Sequence, residues 1–184
     1  MPTFILTPNG DALQEWDSSG GGASSYTDVD NDNGNTQYAF SNTNSERIEV
    51  TLAAPSVAEA DIDMSAGITV TIKASAAYTH TSGSSFMKFY QVGTSADSSS
   101  ISNGTDTIAV TSGGSYATYS GTAETTSDGS NLWVYGDLAG LQIRADKFRS
   151  DRFGELRLSY FYALVTYTEE AVIPDNATFF GANF

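Results

Sequence analysis

The sequence predicts an all-β protein, an antiparallel β-sandwich of about eight strands, and three observations carry that prediction. Apolar residues recur at every second position over long runs. In Gly67–Tyr78, Ile68, Val70, Ile72, Ala74 and Ala76 share one face, while Thr69, Thr71, Lys73 and Ser75 share the other. Clusters such as Ser82-Gly83-Ser84, Ser102-Asn103-Gly104 and Ser112-Gly113-Gly114 punctuate the chain at intervals of about 8–12 residues, as turns between strands do. Helical character is confined to Ser56–Asp63 and Tyr135–Leu141, each long enough for a single turn.

Taken in order, residues 1–15 read as an N-terminal arm with a short apolar run, Phe4-Ile5-Leu6, set between Pro2 and Pro8. Arg47–Leu52 alternates Ile48, Val50 and Leu52 with Arg47, Glu49 and Thr51, the pattern of a half-buried strand. Phe86–Val92, Thr105–Thr111 and Tyr116–Glu124 are further strands. Trp133 follows a turn and is placed in the core. Residues Arg144 to Arg157 read as a basic loop between two strands. Glu155–Thr168 closes the sandwich and is apolar on both faces. Leu156, Leu158, Tyr160, Tyr162 and Leu164 alternate there with Phe161, Ala163, Val165 and Tyr167. Such a strand is central in its sheet, or a partner covers one face. The sandwich thus spans residues 16–168. Residues 169–184 form a tail whose Phe179, Phe180 and Phe184 either fold back or dock on a neighbour.

Composition narrows the function. The 184 residues are enough for one domain with a real core, and the aromatic content of 12% argues against disorder along the chain. With no cysteine there are no disulfides and no thiolate metal sites. The formal net charge of -14 repels phosphate backbones, so no nucleic-acid partner is expected. Arg144, Lys147, Arg149, Arg152 and Arg157 are five of the eight basic residues. Asp146, Asp151 and Glu155 interleave with them, which suits contact with an acidic neighbouring subunit better than contact with DNA. Met1–Leu6 lacks a basic n-region, and no apolar run reaches the roughly 18 residues of a membrane span, so no membrane role is expected either.

Chemistry has few footholds. Asp28, Asp30 and Asp32 alternate like the first ligands of a calcium loop, but the glycine falls one place late and Ala39 stands where a bidentate Glu is needed. An EF-hand is excluded; a non-helical Ca²⁺ loop is the most this run supports, beside the plainer reading of an Asx-rich turn. His80 is the single histidine, and no G-x-S-x-G elbow accompanies it, so no catalytic residues and no cofactor are assigned. Trp16, Tyr26, Tyr38, Tyr116, Tyr119, Trp133 and Tyr135 are the rings a sugar-stacking platform would draw on, although core or rim positions are their commoner use.

The order of these features is recognisable. Trp16 is followed by a Gly/Ser stretch, Tyr26-Thr27-Asp28-Val29-Asp30 and Thr36-Gln37-Tyr38. Then come Arg47–Leu52, Ala53-Ala54-Pro55 and the long strand Ile68–Tyr78. Asp128-Gly129-Ser130-Asn131-Leu132-Trp133 leads to a last strand ending Val165-Thr166-Tyr167. Over residues 16–168 this resembles the jelly-roll domains of tailed-bacteriophage virion proteins, including capsid decoration and head-fibre modules. The resemblance implies a jelly-roll sandwich with extended arms, a non-enzymatic virion component on the outer capsid surface, and a homo-oligomer, with a trimer favoured. Its implied partner is the major capsid protein or another virion protein. Phe4, Ile5, Leu6, Phe179, Phe180 and Phe184 are then the expected anchors, with Arg144, Arg149 and Arg152 as a further contact. A carbohydrate- or receptor-binding module of a fibre or tail is the alternative.

Overall fold

The computed structural model of the chain describes residues 1–32, 36–92, 107–111 and 113–171. Their strands are β1 (Thr3–Leu6), β2 (Pro8–Gln14), β3 (Asp17–Ser18), β4 (Ala39–Ser41), β5 (Arg47–Leu52) and β6 (Thr69–Tyr78). After these come β7 (Ser84–Val92), β8 (Thr107–Thr111), β9 (Ala117–Glu124), β10 (Gln142–Ser150) and β11 (Leu156–Thr166). Among the described residues helix is limited to 3-10 turns and one short α-helix, α1 (Tyr135–Leu138). The strands form an antiparallel two-sheet sandwich, the class the sequence predicts. Sheet A has the order β3-β4-β11-β6-β9, with β1 also on β11; sheet B has the order β2-β5-β10-β7-β8.

The pairing is nested. β4 pairs with β11, β5 with β10, β6 with β9 and β7 with β8. β11 is the centre of sheet A, as its apolar faces require. β6 covers one of its edges along nearly its whole length, and β4, a bridge from Asp30 and β1 take the other edge in turn. The core between the sheets holds Ile48, Val50 and Leu52 of β5, Val70, Ile72, Ala74, Ala76 and Tyr78 of β6, and Trp16 and Trp133. Phe89 of β7 meets Phe161 of β11 across it, ring centroids 5.5 Å apart. Trp133 is anchored as well as buried, its indole N–H donating to the Glu124 carbonyl.

Three expectations are corrected. Residues 1–15 are not an arm: β1 joins sheet A and β2 joins sheet B, so the chain changes sheets at Thr7. Phe4 and Leu6 alternate with outward Thr3 and Ile5 and are buried. Register shifts at Pro8/Gly10 and Asp11/Leu13 erase any such alternation in β2. The basic loop is a central strand, β10, with Ile143, Ala145 and Lys147 inward. Finally, β11 carries a bulge between Leu158 and Tyr160. A bulge adds one residue, so the side-chain alternation changes phase. Leu156 and Leu158 face inward before it and Phe161, Ala163 and Val165 after it, which turns Tyr160, Tyr162 and Leu164 outward. Residues 172–184, with Phe179, Phe180 and Phe184, lie outside the described residues.

Candidate functional site

The bulge at Ser159 sets up the outer face of sheet A. Register aligns Phe40 of β4 with Arg157 of β11 and Ala77 of β6 in one row, with Tyr160 and Ser75 in the next and Tyr162 and Lys73 in a third. The Tyr160 and Tyr162 rings stack at 4.3 Å. The Arg157 guanidinium lies 4.5 Å from the centroid of Tyr38, and Arg157 also pairs with Glu155. Tyr116 stands near Arg157, Tyr38 and Asp32. Burial drives its phenol pKa far above the ordinary value, and its hydroxyl is enclosed without a hydrogen-bond partner. Burial also raises Tyr160 and Tyr162, with Asp32 adding to both. At neutral pH this face therefore offers neutral phenols beside carboxylates and a guanidinium.

Asp28, Asp30 and Asp32 do not converge. Asp28 caps a 3-10 turn, accepting from the Ser25 N–H at 2.9 Å and from the Ser18 hydroxyl at 3.1 Å. Asp30 accepts from the Asn31 amide, and Asp32 accepts from Ser159 on β11. Each carboxylate thus has a separate partner, and that of Asp32 lies on β11. Asn33 and Gly34 of the same run lie outside the described residues. Among the described residues, no three acidic or histidine side chains form a group fit to hold a metal ion.

On the outer face of sheet B every large ring is covered by a cation. Arg144 lies 4.2 Å from the Tyr90 centroid, Lys88 4.2 Å from Phe148 and Arg149 4.3 Å from Phe86. Cross-strand register makes these pairs, since Arg144 faces Tyr90 and Arg149 faces Phe86. Arg144 and Asp146 stand 2.9 Å apart as an ion pair without the alignment of a hydrogen bond. Burial raises the pKa of Asp146 and Glu49, only partly offset by Arg144 and Arg47. Lys147, on the opposite face of β10, is buried, and desolvation lowers its pKa against the pull of Glu46.

β10 ends in a turn, residues 151–155, which is the part of the expected basic loop that the structure keeps; the sequence reading did not single out its Phe153. Phe153 there is 97% exposed, beside exposed Arg152 and Arg149. The turn is nevertheless tied down. The Tyr78 hydroxyl donates to the Arg152 carbonyl, the Asp151 N–H to Ser84 and the Glu155 N–H to Thr79. Gly154 lies against the Tyr78 ring so closely that a Cβ would be 2.8 Å from Cε2. A phenylalanine in the polar run Ser150-Asp151-Arg152-Phe153-Gly154 was the available signal, because nothing local can bury it.

Of the expected anchors, Phe4 and Leu6 are spent in the protein's own core, and Ile5 is 43% exposed on sheet A beside Leu164. Arg144 and Arg149 belong to the sheet B ladder, and Arg152 belongs to the turn. At the far end of β11, Val57, Ala60, Asp61, Tyr167, Glu169, Glu170 and Ala171 line a groove of about 520 Å³. A bridge between Ile62 and Glu169 and a bond from the Glu170 N–H to Asp61 fix its walls. No protein-family model matches the chain and no curated protein matches it, so its surfaces are read from their own geometry.

Proposed function

We propose that the chain is a non-catalytic structural protein of a bacteriophage virion, of the capsid decoration type, held on the outer shell by the major capsid protein or another virion protein. The observation that carries this reading is the nested pairing of β4 with β11, β5 with β10, β6 with β9 and β7 with β8. A long hairpin rolled into a jelly roll would pair its strands in this order, which supports the resemblance that residues 16–168 carry. The charge of -14 supports an outward location, away from packaged DNA. Contact falls to exposed surfaces and to the C-terminal tail, since Phe4 and Leu6 are not free to anchor. Mass spectrometry of purified particles is the test. A fixed copy number relative to the shell protein is expected, and complete particles that lack the protein sink the reading.

A second reading is a carbohydrate- or receptor-binding module, favoured by the outer face of sheet A. Stacked Tyr160 and Tyr162 offer ring faces to the C–H side of a sugar, while Asp32 and Arg157 suit sugar hydroxyls. Glycan-array binding that disappears in Tyr162→Ala would select this reading. Particle-bound protein with no glycan signal would select the first.

A further inference from the structure

We propose that this protein self-associates head to tail, the β10–β11 turn of one copy seating Phe153 and Arg152 in the groove between residues 57–61 and 167–171 of the next. The two surfaces are complementary in chemistry, an exposed ring and guanidinium against apolar walls and carboxylates. The turn is a tied-down projection with a fully exposed phenyl ring and the exposed Arg152 beside it. Of its neighbouring carboxylates Glu155 pairs with Arg157, while Asp151 is exposed next to Arg152, so the ring of Phe153 is the main contribution and the guanidinium the lesser one. The groove combines apolar walls from Val57, Ala60, Tyr167 and Ala171 with the carboxylates of Asp61, Glu169 and Glu170. In a chain of net charge -14 a guanidinium meets carboxylates over much of a second copy, and this groove is set apart by apolar walls that also accept the ring.

Position decides the symmetry. The knob precedes Leu156 and the groove begins at Tyr167, so β11 separates them by its whole length, roughly 35 Å at the rise of an extended strand. Knob and groove therefore cannot satisfy each other within one molecule. A contact between two different patches is heterologous, and it closes into a ring or grows as a filament according to the rotation between copies. Ordering costs are small on the knob side, because Tyr78, Ser84 and Thr79 already fix the turn. The inference goes beyond the virion reading and holds for the isolated protein in solution.

The experiment is sedimentation equilibrium of the full chain over about a hundredfold range of concentration, at low and high salt. Wild type should show mass that rises with concentration, more weakly in high salt. Phe153→Ser should weaken association at least about tenfold, as loss of an anchor residue does. Glu169→Arg/Glu170→Arg, which alters only the groove, should do the same. Mixing these two variants is decisive: one keeps its groove and the other its knob, so they should form heterodimers that grow no further. Circular dichroism checks that both variants are folded. Three results overturn the proposal: wild type that stays monomeric, Phe153→Ser that associates like wild type, or folded variants that do not pair when mixed. Association that survives in the groove variant but is lost on deleting residues 172–184 assigns the contact to the tail and overturns it as well.

Discussion

The outer faces of the two sheets use the same kinds of residue to opposite ends. Both carry aromatic side chains on central strands. On sheet B each large ring lies under a cation from its cross-strand or near neighbour, as with Tyr90 under Arg144 and Phe86 under Arg149. On sheet A Tyr38 lies under Arg157, but Tyr160 and Tyr162 stack on each other, and the row neighbours of that pair are Ser75 and Lys73. A ring beneath a guanidinium is already occupied, whereas a stacked pair still presents an outer face. What an exposed tyrosine can do thus depends on its partner one strand over, which register supplies and composition does not.

Residues 3–14 tie the two faces together, giving β1 to one sheet and β2 to the other. The largest effect is therefore expected at Leu6, fully buried where the chain crosses over. Leu6→Ala should cost about 2–5 kcal/mol in urea unfolding, the range of a large-to-small change in a packed core. An unchanged midpoint would restore residues 1–15 to the role of a free arm and undo the structural basis for comparing the faces.

Arg144 comes next and tests sheet B alone. Its guanidinium serves Asp146 and Tyr90 and holds down the pKa of Glu49. Removing it in Arg144→Ala leaves two partly buried carboxylates without that cation, at a cost of about 1–3 kcal/mol near neutral pH. The sign follows from linkage. Both carboxylates have folded-state pKa values raised above the unfolded ones, so their contribution is most favourable below the unfolded pKa and is lost as pH rises through the folded pKa. The penalty of Arg144→Ala should accordingly shrink in acid, when both groups are protonated. A penalty independent of pH would show that Arg144 acts through packing on Tyr90.

Much of the sandwich was legible in the sequence, and the lapses have physical causes. β5 was read to the residue, Arg47–Leu52, because nothing interrupts its alternation. β10 was missed because Lys147 occupies an inward position and an irregularity between Lys147 and Arg149 then shifts the register. The bulge at Ser159 had the same effect on β11, hiding the face on which Tyr160 and Tyr162 lie. Bulges leave no residue signature in a Leu-Ser-Tyr run, so sequence periodicity could find the strand but not assign its faces. Phe153 was visible as an odd aromatic in a turn, but its exposure depends on Tyr78 and Ser84, which lie about 70 residues away.

Lys147 yields the third prediction, from the inner side of the same strand. Its folded pKa lies below the ordinary lysine value because burial disfavours the charged form. For a lysine shifted in that direction the cost of charge is fully present below the folded pKa and disappears as pH rises to the unfolded one. Lys147→Met should stabilise the protein by about 1–2 kcal/mol at neutral pH, as apolar replacements of buried charges often do. The gain should fade in alkaline solution. A loss of stability at neutral pH would mean that attraction to the Glu46 charge outweighs desolvation.

Tyr162 should give the smallest effect, and it returns to the contrast between the faces. Its ring is half-exposed and stacked on Tyr160, with no cation above it, so Tyr162→Ala removes an aromatic pair worth about 0.5–1.5 kcal/mol and little else. That loss should be the same in low and high salt, since stacking of neutral rings is not screened. Arg144→Ala on sheet B should instead lose part of its effect in high salt, because screening weakens the ion pair it breaks. If the Tyr162→Ala loss proved salt-dependent, Asp32 and Lys73 would be acting through the phenol. Sheet A would then be an electrostatic face like its counterpart, with its rings no more available than those already under a cation.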